Sequence, residues 1–254
     1  MILTQAIRST IERWVESGRG EDYWREPLVA VASAHDPLFH QLKDAVSPEH
    51  GMPEDLLKGA QSVIAFFLPF RQWVGEANVR IKGLSARSWA ESYTATNGLI
   101  QVVGETLKEA IQGMGHAVAV TPPTHNFDSE KLVSAWSHKH VAYIAGLGTF
   151  GHHRLLITEA GCCGRLGSLV TTMTLAATPR PEKEYCLAKR GESCHACVSQ
   201  CRYNALLKTH FDRHACYRQC LVNDAHFSDL PLTDVCGKCA CQVPCSYSIP
   251  NNPP

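Results

Sequence analysis

Apolar residues recur every fourth position at the start of the chain: Leu3, Ile7, Ile11 and Val15. This spacing is the stripe of an amphipathic helix, and Gly18 predicts its stop. The pattern then changes period. Pro27 to Ala32 is a short apolar run that predicts a buried extended segment. Ser62 to Pro69 is rich in β-branched and aromatic residues and predicts a buried strand. From about Ser88 to Met114 the helical period returns, with Leu99, Val103 and Leu107 on one face and Gly113 and Gly115 ending it. His116 to Val120 predicts a strand closed by Pro122 and Pro123. Asp128 is placed to cap a helix running to about Tyr143, broken by Gly146 and Gly148. Leu155–Thr158 and Ser168–Met173 predict two more strands. Alternating strands and helices through about residue 178 argue for an α/β sheet covered by helices.

The pattern stops at Pro179-Arg180-Pro181, where the chain becomes turn-rich and cysteine-rich, so the expected boundary divides 1–178 from 179–254. Ile249 to Pro254 predicts an irregular tail. Hydrophobic content of 44% suits a packed core. No apolar run approaches the roughly 18 residues that span a bilayer, so no membrane partner is expected. Lys plus Arg and Asp plus Glu both total 24, which gives no global charge to attract nucleic acid or an anionic surface.

Ten of the twelve cysteines lie between Cys186 and Cys245. Cys194, Cys197 and Cys201 form C-x2-C-x3-C; Cys236 and Cys239 form a second C-x2-C. A thiolate-held cluster needs four sulfurs converging on one small cube, and short spacers let one turn aim two or three of them inward. Two such groups in one segment predict two iron–sulfur clusters. Disulfides would need an oxidising compartment, and the first residues lack the basic-then-apolar pattern of a secretory signal. The expected location is the cytoplasm of an organism living with little oxygen. Structural zinc in an interaction module is the rival reading, because paired C-x2-C motifs also suit tetrahedral thiolate sites.

Ala145-Gly146-Leu147-Gly148-Thr149-Phe150-Gly151, with Leu155–Thr158 and Arg165–Ser168 after it, is similar to the A-G-L-G-x-x-G signature of epoxyqueuosine reductases. Ser62 to Phe70 resembles the first core strand of the same proteins, and the cysteine groups follow in the same order. The resemblance implies a nitroreductase-like, cobalamin-binding α/β domain followed by a small α+β ferredoxin-like module with two 4Fe-4S clusters. In that family the clusters pass single electrons to cobalamin, which is the reactive group; reductive dehalogenases use a similar arrangement. The chain departs from the family in places. Gly191 stands where a C-x2-C cysteine would be, with Cys186 substituting. Thr149-Phe150-Gly151-His152-His153 replaces W-I-G-K-N, and the C-terminal helical repeats that help hold tRNA do not follow residue 254. The likeness is to a short, anaerobe-type member, for which tRNA is not the expected substrate.

The ferredoxin crossover rule assigns Cys186, Cys194, Cys197 and Cys245 to one cluster and Cys201, Cys216, Cys236 and Cys239 to the other. Cys220, one helical turn beyond Cys216, is an alternative to it. Cys241 is a spare, and Cys162 and Cys163, far upstream in a glycine-flanked loop, read as buried or loop thiols, with a ligand role as the alternative. By analogy with the related reductases and dehalogenases, Asp128 and Tyr93 are candidate proton donors, against the plainer readings of helix cap and packed aromatic. Gly146, Gly148 and Gly151 either turn the chain or let backbone approach a corrinoid, which His152 or His153 would face. The expected function is electron transfer through both clusters to a corrinoid that reduces a small organic or nucleoside substrate. The alternative is an electron-transfer protein that restores a partner corrinoid protein. A low-potential ferredoxin or flavodoxin is the expected donor.

Overall fold

The computed structural model describes residues 2–19, 21–123 and 127–251. Along the chain run α1 (Ile2–Glu16), β1 (Leu28–Ser33), α2 (Leu38–Ala45), α3 (Pro53–Leu56), β2 (Ser62–Pro69), α4 (Gln72–Arg80) and α5 (Arg87–Gln112). Then come β3 (Val118–Val120), β4 (Phe127–Asp128), β5 (Val133–Ser134), α6 (His138–Ile144), β6 (Gly148–Phe150), β7 (Leu156–Thr158), β8 (Gly164–Thr171), α7 (Ala196–Gln200) and α8 (Arg213–His226). Of the expected tail, residues 252–254 lie outside the described residues.

The fold is mixed α and β. Its centre is a four-stranded sheet in the order β1-β2-β8-β3, and all three pairings are antiparallel. β2 is buried along its whole length because it is covered on both faces. Ile64, Phe66 and Leu68 face one core, shared with Ile7 and Ile11 of α1 and Leu99, Val103 and Leu107 of α5. Val63, Ala65 and Phe67 face the other, shared with Phe39 of α2 and Val141 and Ile144 of α6. The period of two explains the partition. It also explains why β2 reads as an unbroken apolar run rather than an alternating one. A fully buried side chain such as Leu99 contributes about 1.5–3 kcal/mol relative to exposure.

One predicted element differs. The helix expected from Asp128 begins at His138. The Asp128 carboxylate accepts the backbone N–H groups of Glu130 and Lys131 at 2.9 Å each, closing an Asx-type turn. Leu132 at φ 55° then reverses the chain into β5. Asp128 therefore caps a hairpin turn, not a helix.

The cysteine-rich segment is sewn to the sheet layers. Asn78 of α4 is fully buried; its Nδ2 donates to Cys236 O at 2.9 Å and its Oδ1 accepts from Ala86 N at 3.1 Å. Ser85 Oγ donates to Val235 O, and Asn223 Nδ2 donates to Ser85 Oγ and Val235 O. Cys162 N and Cys163 N donate to Cys245 O and Ser246 O.

Gly146, φ 90°, closes α6 through Gly146 N to Tyr143 O, and a methyl there would press on the carbonyls of Thr178 and Pro179. A methyl on Gly148 would collide with the Ile157 carbonyl across the β6–β7 pair, and one on Gly151 with the His153 ring. At all three glycines the space a side chain would need is taken by the chain itself. Gly148→Ala is expected to lower the unfolding free energy by about 1–3 kcal/mol, read as a denaturation midpoint shift.

His140 on α6 bonds Ser137 Oγ through Nδ1 and packs on Phe150. Burial pulls its pKa down from 6.5 to about 4. The unfolded chain takes up this proton first, so stability is flat above about pH 6.5 and falls between about 6.5 and 4. His140→Gln should flatten that limb in urea unfolding measured across pH.

Candidate functional site

The first thiol group gathers around one small pocket lined by Cys186, Cys194, Cys197 and Cys245. Cys194 precedes α7, and Cys197 stands within it. Gly191 ends the 3-10 turn Ala188–Arg190 in the left-handed region, φ 85°, where glycine carries no steric cost. Cys186 anchors the turn by accepting Arg190 N at its carbonyl. His153, 4% exposed, places Nε2 3.4 Å from Cys245 Sγ. Leu155 N donates to His153 Nδ1, so the ring proton sits on Nε2 and points at the sulfur. Cys162 also bonds Cys245, and the ligand atoms of His153, Cys162 and Cys245 lie within 4.8 Å of one another. The thiol–thiol bond and the His153 donor pull Cys245 down to about 5, whereas burial pushes Cys197 up to about 12. His195 Nδ1 is buried beside this group without a partner.

The second group, Cys201, Cys216, Cys220, Cys236 and Cys239, lines one wall of a cavity of about 400 Å³. Asp212 caps α8 through Ala215 N at 2.8 Å, and α8 then presents Cys216 and Cys220 one turn apart, bonded to each other. That bond lowers the Cys216 pKa and raises that of Cys220. Gly237, φ 68°, turns the chain between Cys236 and Cys239, and the Trp89 ring fills the space where a side chain would stand. Burial pushes Cys236 up to about 12 and Cys239 up as well. Buried thiols in such a setting stay protonated until a cation takes the sulfur, which deprotonates it outright. Tyr203 Oη is buried among Cys201, Cys220 and Cys236 with no partner. An anionic sulfur-ligated group would accept that hydroxyl, so the donor set fits one.

The same cavity carries proton chemistry. Tyr93 Oη donates to Asp234 Oδ1 at 2.8 Å, and the Arg165 guanidinium lies 4.0 Å over the Tyr93 ring. Burial is the largest cause raising the pKa of both Tyr93 and Asp234. Trp89 Nε1 and Arg165 Nη1 line the same cavity, buried and without acceptors. Burial also lowers Lys139, with Arg213 and Arg154 pushing the same way. The remaining wall is apolar, including Leu155, Leu206 and Phe211.

The fold thus brings each predicted cysteine set together, and Tyr93 lines the same cavity as the second set. Asp128 is apart in character: its side chain is 40% exposed, and the two backbone donors hold its pKa below the usual carboxylate value. It stays ionised, the reverse of an acid stored in its neutral form. His153 turns to Cys245 and also lines the large cavity, whereas His152 Nε2 sits 3.0 Å from the Leu207 carbonyl; neither His152 nor Gly146, Gly148 or Gly151 is among the residues lining that cavity. Cys241 and Cys163 bond each other. Sequence reasoning missed Asp234, Arg165, Lys139 and Trp89. Of these Asp234, two residues before Cys236, and Arg165, at the head of the Arg165–Ser168 stretch, had a local signal. With two separate thiol sets, Cys197→Ala and Cys236→Ala should each remove roughly half of the bound metal. Cys163→Ala should leave it unchanged by elemental analysis.

No family model matches the chain, and no curated protein matches it. Among solved structures, an epoxyqueuosine reductase superposes with a TM-score of 0.55 at 14% identity, covering 93% of this chain and 64% of that one. A catabolic reductive dehalogenase gives 0.56 at 14%, covering 88% of this chain and 30% of the other. The same dehalogenase in complex with 3-bromo-4-hydroxybenzoic acid gives 0.57 at 14%, with the same coverage. The chain spans less than two thirds of either protein's length, and at this identity the likeness is one of fold.

Proposed function

We propose that the protein is a redox enzyme that carries single electrons through two 4Fe-4S clusters to a corrinoid, which reduces a small organic or nucleoside substrate. One observation carries this reading: the thiols of Cys201, Cys216, Cys220, Cys236 and Cys239, joined by Cys162, line the same cavity of about 400 Å³ as the Tyr93–Asp234 pair. Cys186, Cys194, Cys197 and Cys245 would hold the first cluster, and Cys201, Cys216, Cys236 and Cys239 the second. The clusters supply one-electron chemistry, and the corrinoid supplies a strongly reducing cobalt centre. The protein's own residues do the rest. Tyr93 holds a proton at Oη, and Asp234 fixes its direction and can return a proton to it from solvent. The apolar wall excludes water, which strengthens each polar contact inside. Trp89 Nε1 and Arg165 Nη1 offer donors to the amide or carboxylate arms of a bound macrocycle or substrate. A low-potential ferredoxin or flavodoxin is the proposed electron source. The redox character of the two similar folds supports the reading.

Structural zinc is favoured by a single feature, the His153, Cys162 and Cys245 group. Protein prepared without oxygen should contain about eight iron and eight sulfide per chain and show reduced-cluster resonances. Zinc in place of iron, without acid-labile sulfide, overturns the cluster reading. Added cobalamin should shift to its base-off spectrum. Intact clusters with no corrinoid binding overturn the enzymatic reading and leave an electron carrier.

A further inference from the structure

Lys238 is 2% exposed, among the largest fully buried side chains of the protein. Its Nζ donates to Asn78 O, to Asn78 Oδ1 at 3.4 Å and to Ile81 O at 2.8 Å. Three oxygen acceptors match the three N–H groups of an ammonium. All three are neutral, and no carboxylate among the described residues pairs with this cation; the charged or ionisable groups around it are Cys236, Cys241 and Arg202. A buried charge without a counter-ion is strongly unfavourable. Burial and the Cys163 bond keep Cys241 protonated, so the nearby source of negative charge is the thiolate set that includes Cys236. Asn78 reinforces the arrangement, donating Nδ2 to Cys236 O and, at 3.6 Å, to Cys241 Sγ. Among the described residues the first thiol set has no buried lysine of this kind: the groups donating to Cys245 are the Cys162 thiol and the His153 ring, whose proton is placed by Leu155 N.

From this contrast we infer that the Lys238 ammonium is the built-in counter-ion of the cluster held by Cys201, Cys216, Cys236 and Cys239, and makes that cluster the easier of the two to reduce. The inference rests on the two-cluster reading. A reduced cluster carries one more negative charge than an oxidised one, so a fixed cation in a low-dielectric site favours the reduced state. The step balances without proton or bond changes. One electron leaves the Cys186 cluster, which goes from the 1+ to the 2+ core, and the Cys236 cluster goes from 2+ to 1+. The reductant is the low-potential donor protein that recharges the first cluster. Electrons would then collect at the cluster held beside the cavity that Tyr93 also lines.

The test is an anaerobic redox titration followed by electron paramagnetic resonance, on the full chain with both clusters loaded. Lys238→Met should move one of the two reduction waves to more negative potential by at least a tenfold change in its equilibrium constant, 59 mV for a one-electron couple. The wave that moves should be the one lost in Cys236→Ala, and the other should stay in place. Lys238→Gln keeps donors for the Asn78 and Ile81 carbonyls while removing the charge; it should give the same shift, and it serves if the methionine variant does not fold. Lys208→Met removes an equal charge from an exposed position and should move neither wave, because solvent screens such charges. Full iron content with both waves unmoved in Lys238→Gln overturns the inference, as does an equal shift in Lys208→Met. Wild-type protein that carries no iron–sulfur cluster overturns the parent reading instead, and is seen before any variant is made.

Discussion

The buried amide of Asn78 is the contact on which the rest of the site depends. One side chain donates to the Cys236 carbonyl, accepts from Ala86 N and receives the Lys238 ammonium at its own backbone and side-chain oxygens. It ties α4, the start of α5 and the second cysteine turn into one unit. Every polar atom it brings inside is used, which is the condition under which a buried polar network rigidifies rather than destabilises. Loss of one member leaves its partners unsatisfied, at about 1–3 kcal/mol each. Asn223 and Ser85 continue the network towards α8. The thiols are therefore fixed by the sheet layers rather than by the local loops that carry them.

The central sheet provides the frame. β2 is buried on both faces, so its register with β1 and β8 is specified twice, once by each core. β8 then delivers Arg165 to the cavity, while the loop before it delivers Cys162 to Cys245 of the first thiol group and Cys163 to Cys241. α5 spans the other face and carries Trp89 and Tyr93 at its start. A rigid strand and a long helix thus hold the cavity's polar wall, which suits a site where a proton must be presented in a set direction.

Burial acts differently on the two kinds of ionisable group. It opposes thiolate formation at Cys197, Cys236 and Cys239, so these positions favour a cation that takes the sulfur's charge. It also raises Tyr93 and Asp234, which keeps protons in the same cavity. Sulfur that attracts metal and oxygen that retains hydrogen thus line one space.

The sequence by itself determined the elements whose information is local. The four-residue stripe of α1, the limits of β2, the long face of α5 and the grouping of cysteines into two sets all follow from spacing. Periodicity and turn chemistry act over a few residues. Tertiary structure decided the rest. It made the sheet antiparallel where alternating helices and strands only implied an α/β sheet, and it used Gly146, Gly148 and Gly151 for packing within the chain. It left Asp128 in an exposed hairpin turn, because an Asx turn and the left-handed Leu132 outcompeted a helix start. The Tyr93–Asp234 bond joins residues 141 apart, and the Lys238–Asn78 contact joins residues 160 apart. No spacing rule reaches that far: such pairs exist only because two packed layers exclude water and oblige each buried polar group to find the partner that the fold puts beside it.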